Sequence, residues 1–172
     1  LTTAKMTILS ENIYSSEEFS KDDVLLYAYL CSSTDKKDDS IDKAIVEAYT
    51  RSSLSNLKAE EYIQRELIGF NPLYKRVVSL VQHGDTCITI AKGLPAKIID
   101  TEAGYIDDHE FQWKVIDDDS QIQSVVEAVQ QLSKSGYKTI GVSICNGNAR
   151  ELGDKAEWRF CGLLPMLDPP RE

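Results

Sequence analysis

No uninterrupted apolar run in this sequence exceeds the eight residues from Val24 to Cys31. A helix that crosses a bilayer needs roughly 20, so no stretch here reads as a membrane span. Cysteine is scarce: four residues, at 31, 87, 145 and 161, with no CxxC spacing and no His nearby. That pattern excludes a zinc site or a disulfide framework and leaves four small apolar core residues in a reducing compartment. Positive charge is in short supply too, with 19 Lys and Arg against 28 Asp and Glu, a net charge of −9. Such a balance argues against a nucleic-acid backbone as the main ligand, which would want a broad basic face. It leaves room for a small phosphate ligand, where a few clustered cations suffice.

Glycine and proline are sparse, and no Gly-rich phosphate loop of the Walker or dinucleotide type occurs. No Ser, Cys or Thr stands beside a His in a nucleophile–base pattern. The two histidines, His83 and His109, lie in a turn and in the polar stretch "DDHE" and read as exposed loop residues. "DDHE" and "DDDS" lack the Gly-interrupted spacing of a calcium loop, so they read as solvated acidic loops and no metal ligands are assigned.

What is present is an ordinary globular composition, 42% hydrophobic and 27% charged over 172 residues, long enough for one compact domain with a real core. "AKMTILSENIY" (4–14) reads as a strand or extended segment. "SKDDVLLYAYLC" starts a helix at the Ser20 cap, with Asp22 and Asp23 in its first turn and Val24, Leu25, Ala28 and Cys31 buried. After the polar loop 34–40, Ile41, Ala44, Ile45, Ala48 and Tyr49 recur at helical spacing. "LKAEEYIQREL" is read as a further short helix.

"RVVSLVQ" and "TCITIAK", separated by His83-Gly84-Asp85, form a hairpin signal. Pro95 opens a short helix, "PAKIIDTEA". Residues 119–134 form a strongly amphipathic helix with Ile122, Val125, Val126, Val129 and Leu132 on one face and Gly136 as its cap. "KTIGVSIC" and "EWRFCGLLPML" are strands. Together these elements predict an α+β fold, a twisted and largely antiparallel sheet flanked by helices, in a single domain. A start at Leu1 and a stop at "LDPPRE" suggest a domain excised from a longer protein.

Three short stretches carry candidate chemistry: "DDSIDKA" (38–44), "FNPLYKR" (70–76) and "KGLP" (92–95). The middle one puts an aromatic, a turn proline and two cations just before a strand. It is either a turn that opens a hairpin, or a platform where the ring stacks on something flat and the cations meet something anionic.

Taken in order, these stretches resemble the nucleotide-binding domain of P-type ATPases, the cation pumps that pass through an aspartyl-phosphate, and above all the plasma-membrane proton pumps. "LTTAKM" (1–6) resembles the segment after the phosphorylated aspartate, "FNP" with "KR" the adenine-site motif, and "KGLPAKI" the motif "KGAPE". "GYKTIGVS" resembles the "GLR" strand, and "EWRFCGLLPMLDPPRE" is very close to the strand that returns to the phosphorylation domain. The chain departs from the family pattern at Ala4 (usually Asn), Leu94 and Ala96 (usually Ala and Glu) and Lys138 (usually Arg).

The resemblance implies adenine nucleotide as ligand. Phe70 would stack on the base and Lys75 lie beside base and ribose. Lys92 would line the bottom of the pocket, and Gly93 allow close backbone approach. Asp42 would accept from the adenine amino group, and Lys138 meet the phosphate chain. It implies no catalytic residue in this chain, ATP with Mg²⁺ ligands located elsewhere, and partner phosphorylation and transmembrane domains on the same polypeptide. Residues 1–6 and 165–172 would be hinge segments, stiffened by Pro169 and Pro170, of a cytoplasmic domain at the plasma membrane. The readings left beside it are a Mg²⁺ or Ca²⁺ pump domain and a protein-interaction domain that binds no nucleotide.

Overall fold

The computed structural model describes residues 6–34, 39–52, 59–72, 75–99, 106–107 and 112–168. The chain enters through β1 (Thr7–Ile8), a single turn at Ser10–Asn12 and β2 (Tyr14–Ser15). The extended segment expected at 4–14 is therefore broken by that turn into two short strands. Helix α1 (Lys21–Leu30) starts where the sequence predicts. The Ser20 hydroxyl accepts from the Asp23 N–H, and the Asp23 carboxylate accepts from the Ser20 N–H, a reciprocal cap that satisfies two orphan donors. Helix α2 (Ser40–Arg51) is capped by Asp39, whose carboxylate accepts from Ile41 and Asp42.

Residues 62–71 correct the reading of "LKAEEYIQREL" as a helix: they form β3 (Tyr62–Asn71), preceded by one turn at Ala59–Glu61. The sequence rises in helix formers because β3 is an edge strand with solvent along much of it, so Gln64, Arg65 and Glu66 are tolerated there. Strands β4 (Arg76–His83) and β5 (Thr86–Gly93) form the expected hairpin, turning at Gly84-Asp85. A four-residue α3 (Pro95–Ile98) follows, with Pro95 at its first position, and then the small hairpin β6 (Ile106–Asp107) with β7 (Gln112–Trp113). Helix α4 (Asp119–Lys134) has the predicted bounds, with Gly136 at φ +87° just beyond its Ser135 cap. Strand β8 (Lys138–Asn146), the short α5 (Ala149–Leu152) and β9 (Trp158–Leu167) close the chain.

One antiparallel sheet runs in the order β1-β9-β8-β5-β4-β3, with β2 also on β9. Helices α1 and α2 cover one face, where Val24, Leu25, Ile45 and Tyr49 meet Val81, Ile90, Val142 and Leu164. On the other face Val78, Ala91, Ile98, Val125, Phe160, Trp113 and Trp158 form a second core. Because both faces are covered, the central strands are nearly continuous apolar runs, and alternation along them sorts side chains between the two layers. Cys31, Cys145 and Cys161 are buried and Cys87 half-buried, all as free thiols. The acidic "DDDS" is not a solvated loop: Asp117 accepts from the Phe160 N–H at 2.8 Å and Asp118 caps α4. His83 stacks on Tyr62, with ring centroids 4.3 Å apart. His109 and the hinge residues 1–5 and 169–172 lie outside the described residues.

Candidate functional site

One row of register partners crosses four strands at one end of the sheet: Asn71 with Arg76, Arg76 with Gly93, and Gly93 with Gly141. The row gathers the end of β3, the start of β4 and the end of β5, and so brings together residues that lie far apart in sequence. Lys75 holds the corner. It adopts φ +57°, the one positive φ at a non-glycine among the described residues. Its carbonyl turns onto β5, where it accepts from the Leu94 N–H at 3.2 Å. A Cβ on Gly93 would collide with that same carbonyl oxygen. The close backbone approach expected at Gly93 is thus made by the chain itself.

Phe70 stands at this corner with 56% of its surface exposed. Such exposure is unusual for a large aromatic. The Lys75 Nζ lies 5.9 Å from the ring centroid, at the outer range of a cation–π contact.

Lys92 and Asp42 sit behind the corner, on the face covered by α1 and α2. Lys92 Nζ donates to Asp42 Oδ1 at 2.8 Å, with the two side chains only 5% and 6% exposed. The other oxygen, Oδ2, accepts from the Ser33 N–H at 3.0 Å. Asp42 lies in the first turn of α2, where the helix dipole favours a carboxylate. The two residues expected to meet a ligand separately are therefore bonded to each other. Cys31 lies against them, its Sγ 3.4 Å from the Val77 carbonyl oxygen. Burial pushes its thiol up to about 12, with Lys92 pulling it down and Asp42 pushing it up.

The two cations of "FNPLYKR" part company. Lys75 is exposed, but Arg76 is 2% exposed and belongs to the opposite core. Its guanidinium carbon lies 4.0 Å from the centroid of the Trp113 ring. Trp113 stacks in turn on Trp158, at 4.1 Å and 28°. Nothing local in the sequence announces this column, since Trp113 comes from the far side of α3.

Lys138 begins β8, three residues before Gly141 and hence about 10 Å along the strand from the row. It is exposed and paired with Asp168 Oδ2 at 2.6 Å. Two of the grooves among the described residues lie away from the corner. One, of about 360 Å³, runs between α1, α2 and β1. The other, of about 370 Å³, is lined by Tyr29, Ser32, Tyr62 and Gln64. Neither is lined by Phe70 or Lys92, and the corner, with Phe70 and Lys75 exposed, is a surface shelf.

Residues 7–172 match the family described as P-type ATPase, cytoplasmic domain N. The chain belongs to that family. This N domain is 32% identical over 99% of its length to a Methanocaldococcus jannaschii protein whose name assigns it, provisionally, to the cation-transporting ATPases. It is 31% identical over 92% of its length to plasma membrane ATPase 2 of Schizosaccharomyces pombe, and 28% over 92% to plasma membrane ATPase 1 of Saccharomyces cerevisiae. It spans 18%, 14% and 16% of these relatives, less than a fifth of each. Two departures of the N domain from the family pattern fall at the surface: Leu94, half exposed, precedes α3, and Ala96 is exposed within it.

Proposed function

We propose that this N domain binds ATP by its adenine end and presents the γ-phosphate to an aspartate on a neighbouring domain of a plasma-membrane cation pump, with the proton as the transported ion. The observation that carries the reading is the exposed Phe70 ring with the Lys75 ammonium 5.9 Å from its centroid, on a corner fixed from behind. A flat ring gains energy from any base laid on it, and a neighbouring cation suits the ribose–phosphate side. The buried Lys92–Asp42 pair braces the corner from behind. Lys138 supplies a point charge toward the phosphates, without the planar fork of an arginine.

Positioning is the whole contribution of these residues. The accepting aspartate and the Mg²⁺ that would screen the transferred phosphoryl group belong to other parts of the pump. The choice of the proton rests on the resemblance of "FNP" with "KR" and of the last strand to the plasma-membrane proton pumps, and the plasma membrane on the relatives so named; no helix among the described residues is long and apolar enough to cross a membrane.

Titration of the chain with nucleotides, followed by calorimetry or amide shifts, tests this. ATP and ADP should bind weakly and with little need for Mg²⁺, GTP should bind less well, and the chain alone should not turn ATP over. Obligatory Mg²⁺, GTP bound as tightly as ATP, or sustained hydrolysis abolished by a substitution inside this chain would overturn the proposal.

A further inference from the structure

Resting on the ATP reading, we infer that Arg76 is a positioning residue for the nucleotide: stacked on the buried Trp113–Trp158 pair, it locks the Lys75 corner so that Phe70 and Lys75 stand together on the shelf.

Four observations lead there. Arg76 is the hub of the row, paired with Asn71 on one side and Gly93 on the other, and bonded to Lys75 through the chain. At 2% exposure it is no contact for a ligand phosphate, so its charge acts inward. A guanidinium is attracted to the face of an indole and not to its edge, so the stack at 4.0 Å sets the rotation of the first residue of β4. Lys75 holds a left-handed backbone, which a residue with a side chain keeps only where its surroundings enforce it.

Those surroundings are two-sided. Val77 pairs with Lys92, and Arg76 stacks on Trp113 on the other face. Between these two anchors the Lys75 carbonyl is pressed onto Gly93. If the inner anchor is lost, the corner is free to relax toward an ordinary turn, and the Phe70 ring and the Lys75 ammonium drift apart. An aliphatic side chain in place of Arg76 would fill the same space without this directional hold.

The test is Arg76→Met in the same chain, which keeps the volume and removes the cation. ATP affinity of the folded protein should fall about tenfold, and Phe70→Ala should then cost no more than about twofold further, because the ring is no longer placed. An unchanged affinity for the folded fraction, or a Phe70→Ala loss as large as in the parent, overturns the inference even where the melting temperature falls. Should Arg76→Met not fold, Arg76→Lys carries the same test: the charge is kept but the planar face is lost, and an affinity equal to the parent's overturns the inference. Tryptophan emission adds a readout, since both tryptophans of the chain lie in the column. Emission should shift on ATP binding in the parent and not in Arg76→Met, and a silent parent that nonetheless binds ATP counts against the link. If the parent binds no ATP at all, the proposed function fails first, an outcome distinct from the others.

Discussion

The Lys92 ammonium and the Asp42 carboxylate, 50 residues apart in the chain, meet at 2.8 Å inside the α1–α2 layer. Removing one partner strands the other charge away from water. Asp42→Ala should therefore cost about 3–5 kcal/mol of stability, while the double change Asp42→Leu with Lys92→Met should recover most of it. Urea denaturation of the three proteins checks this. A single variant within about 1 kcal/mol of the parent would mean that water reaches the pair in solution.

Phe70 separates binding from folding. With 56% of its surface exposed, it has little burial to lose, so Phe70→Ala should leave the melting temperature nearly unchanged. ATP binding should weaken by roughly 1–3 kcal/mol, or about five- to 150-fold. Calorimetry and thermal melting on the same sample distinguish the two effects. A variant that melts several degrees lower and binds ATP normally while folded makes the ring structural.

Two glycines near the shelf should respond in opposite ways. At Gly93 a methyl group meets the Lys75 carbonyl, so Gly93→Ala should cost about 1–3 kcal/mol and weaken nucleotide binding with it. At Gly69 nothing lies within 4 Å of a new Cβ, and Gly69→Ala should be neutral or slightly stabilising. Equal effects at the two sites in chemical denaturation would refute the packing of Lys75 on β5.

Stability should also fall on the alkaline side. Burial holds the Cys31 thiol up at about 12 and the Cys145 thiol at about 11, against 9.0 when unfolded. Between those values the unfolded chain has lost protons that the folded chain keeps. This contribution is therefore complete below about pH 9 and is lost as pH rises through about 11–12, at roughly 1.4 kcal/mol per thiol for each pH unit between its unfolded and folded values. Urea midpoints at about pH 8.5 and 10.5 should diverge, and Cys31→Ala with Cys145→Ala should reduce the difference, the Cys161 and Cys87 thiols, also raised by burial, keeping the rest. A slope unaffected by removing both thiols would assign the alkaline loss to other groups.

How far the sequence speaks depends on whether the deciding contacts are local. Helix α4 was legible to the residue because its cap, Asp118 with Gln121, and its apolar stripe both lie within the segment. Strand β3 was not. At a sheet edge its composition answers to solvent, and the register shift between Gln64 and Glu66 interrupts the alternation that would have marked it. In the same way, Phe70, Lys75 and Gly93 could be singled out by type and motif, and the structure brings them to one corner. The pairing of Asp42 with Lys92 and the burial of Arg76 on Trp113 could not, since each joins segments that only the finished sheet makes neighbours.

The first and last strands of the sheet run side by side, with Thr7 opposite Leu167, Ile8 opposite Met166, and the Leu9 N–H on the Pro165 carbonyl. Tension applied to the incoming and outgoing chain would load these rungs one at a time and not all together, so they would open one after another, as a zip does. Under load the domain should therefore yield first at this short ladder, lengthening by a few residues while both core layers stay packed. A rigid body joined to its surroundings through such a fuse can be tugged and turned without the shelf at the far strands feeling the strain.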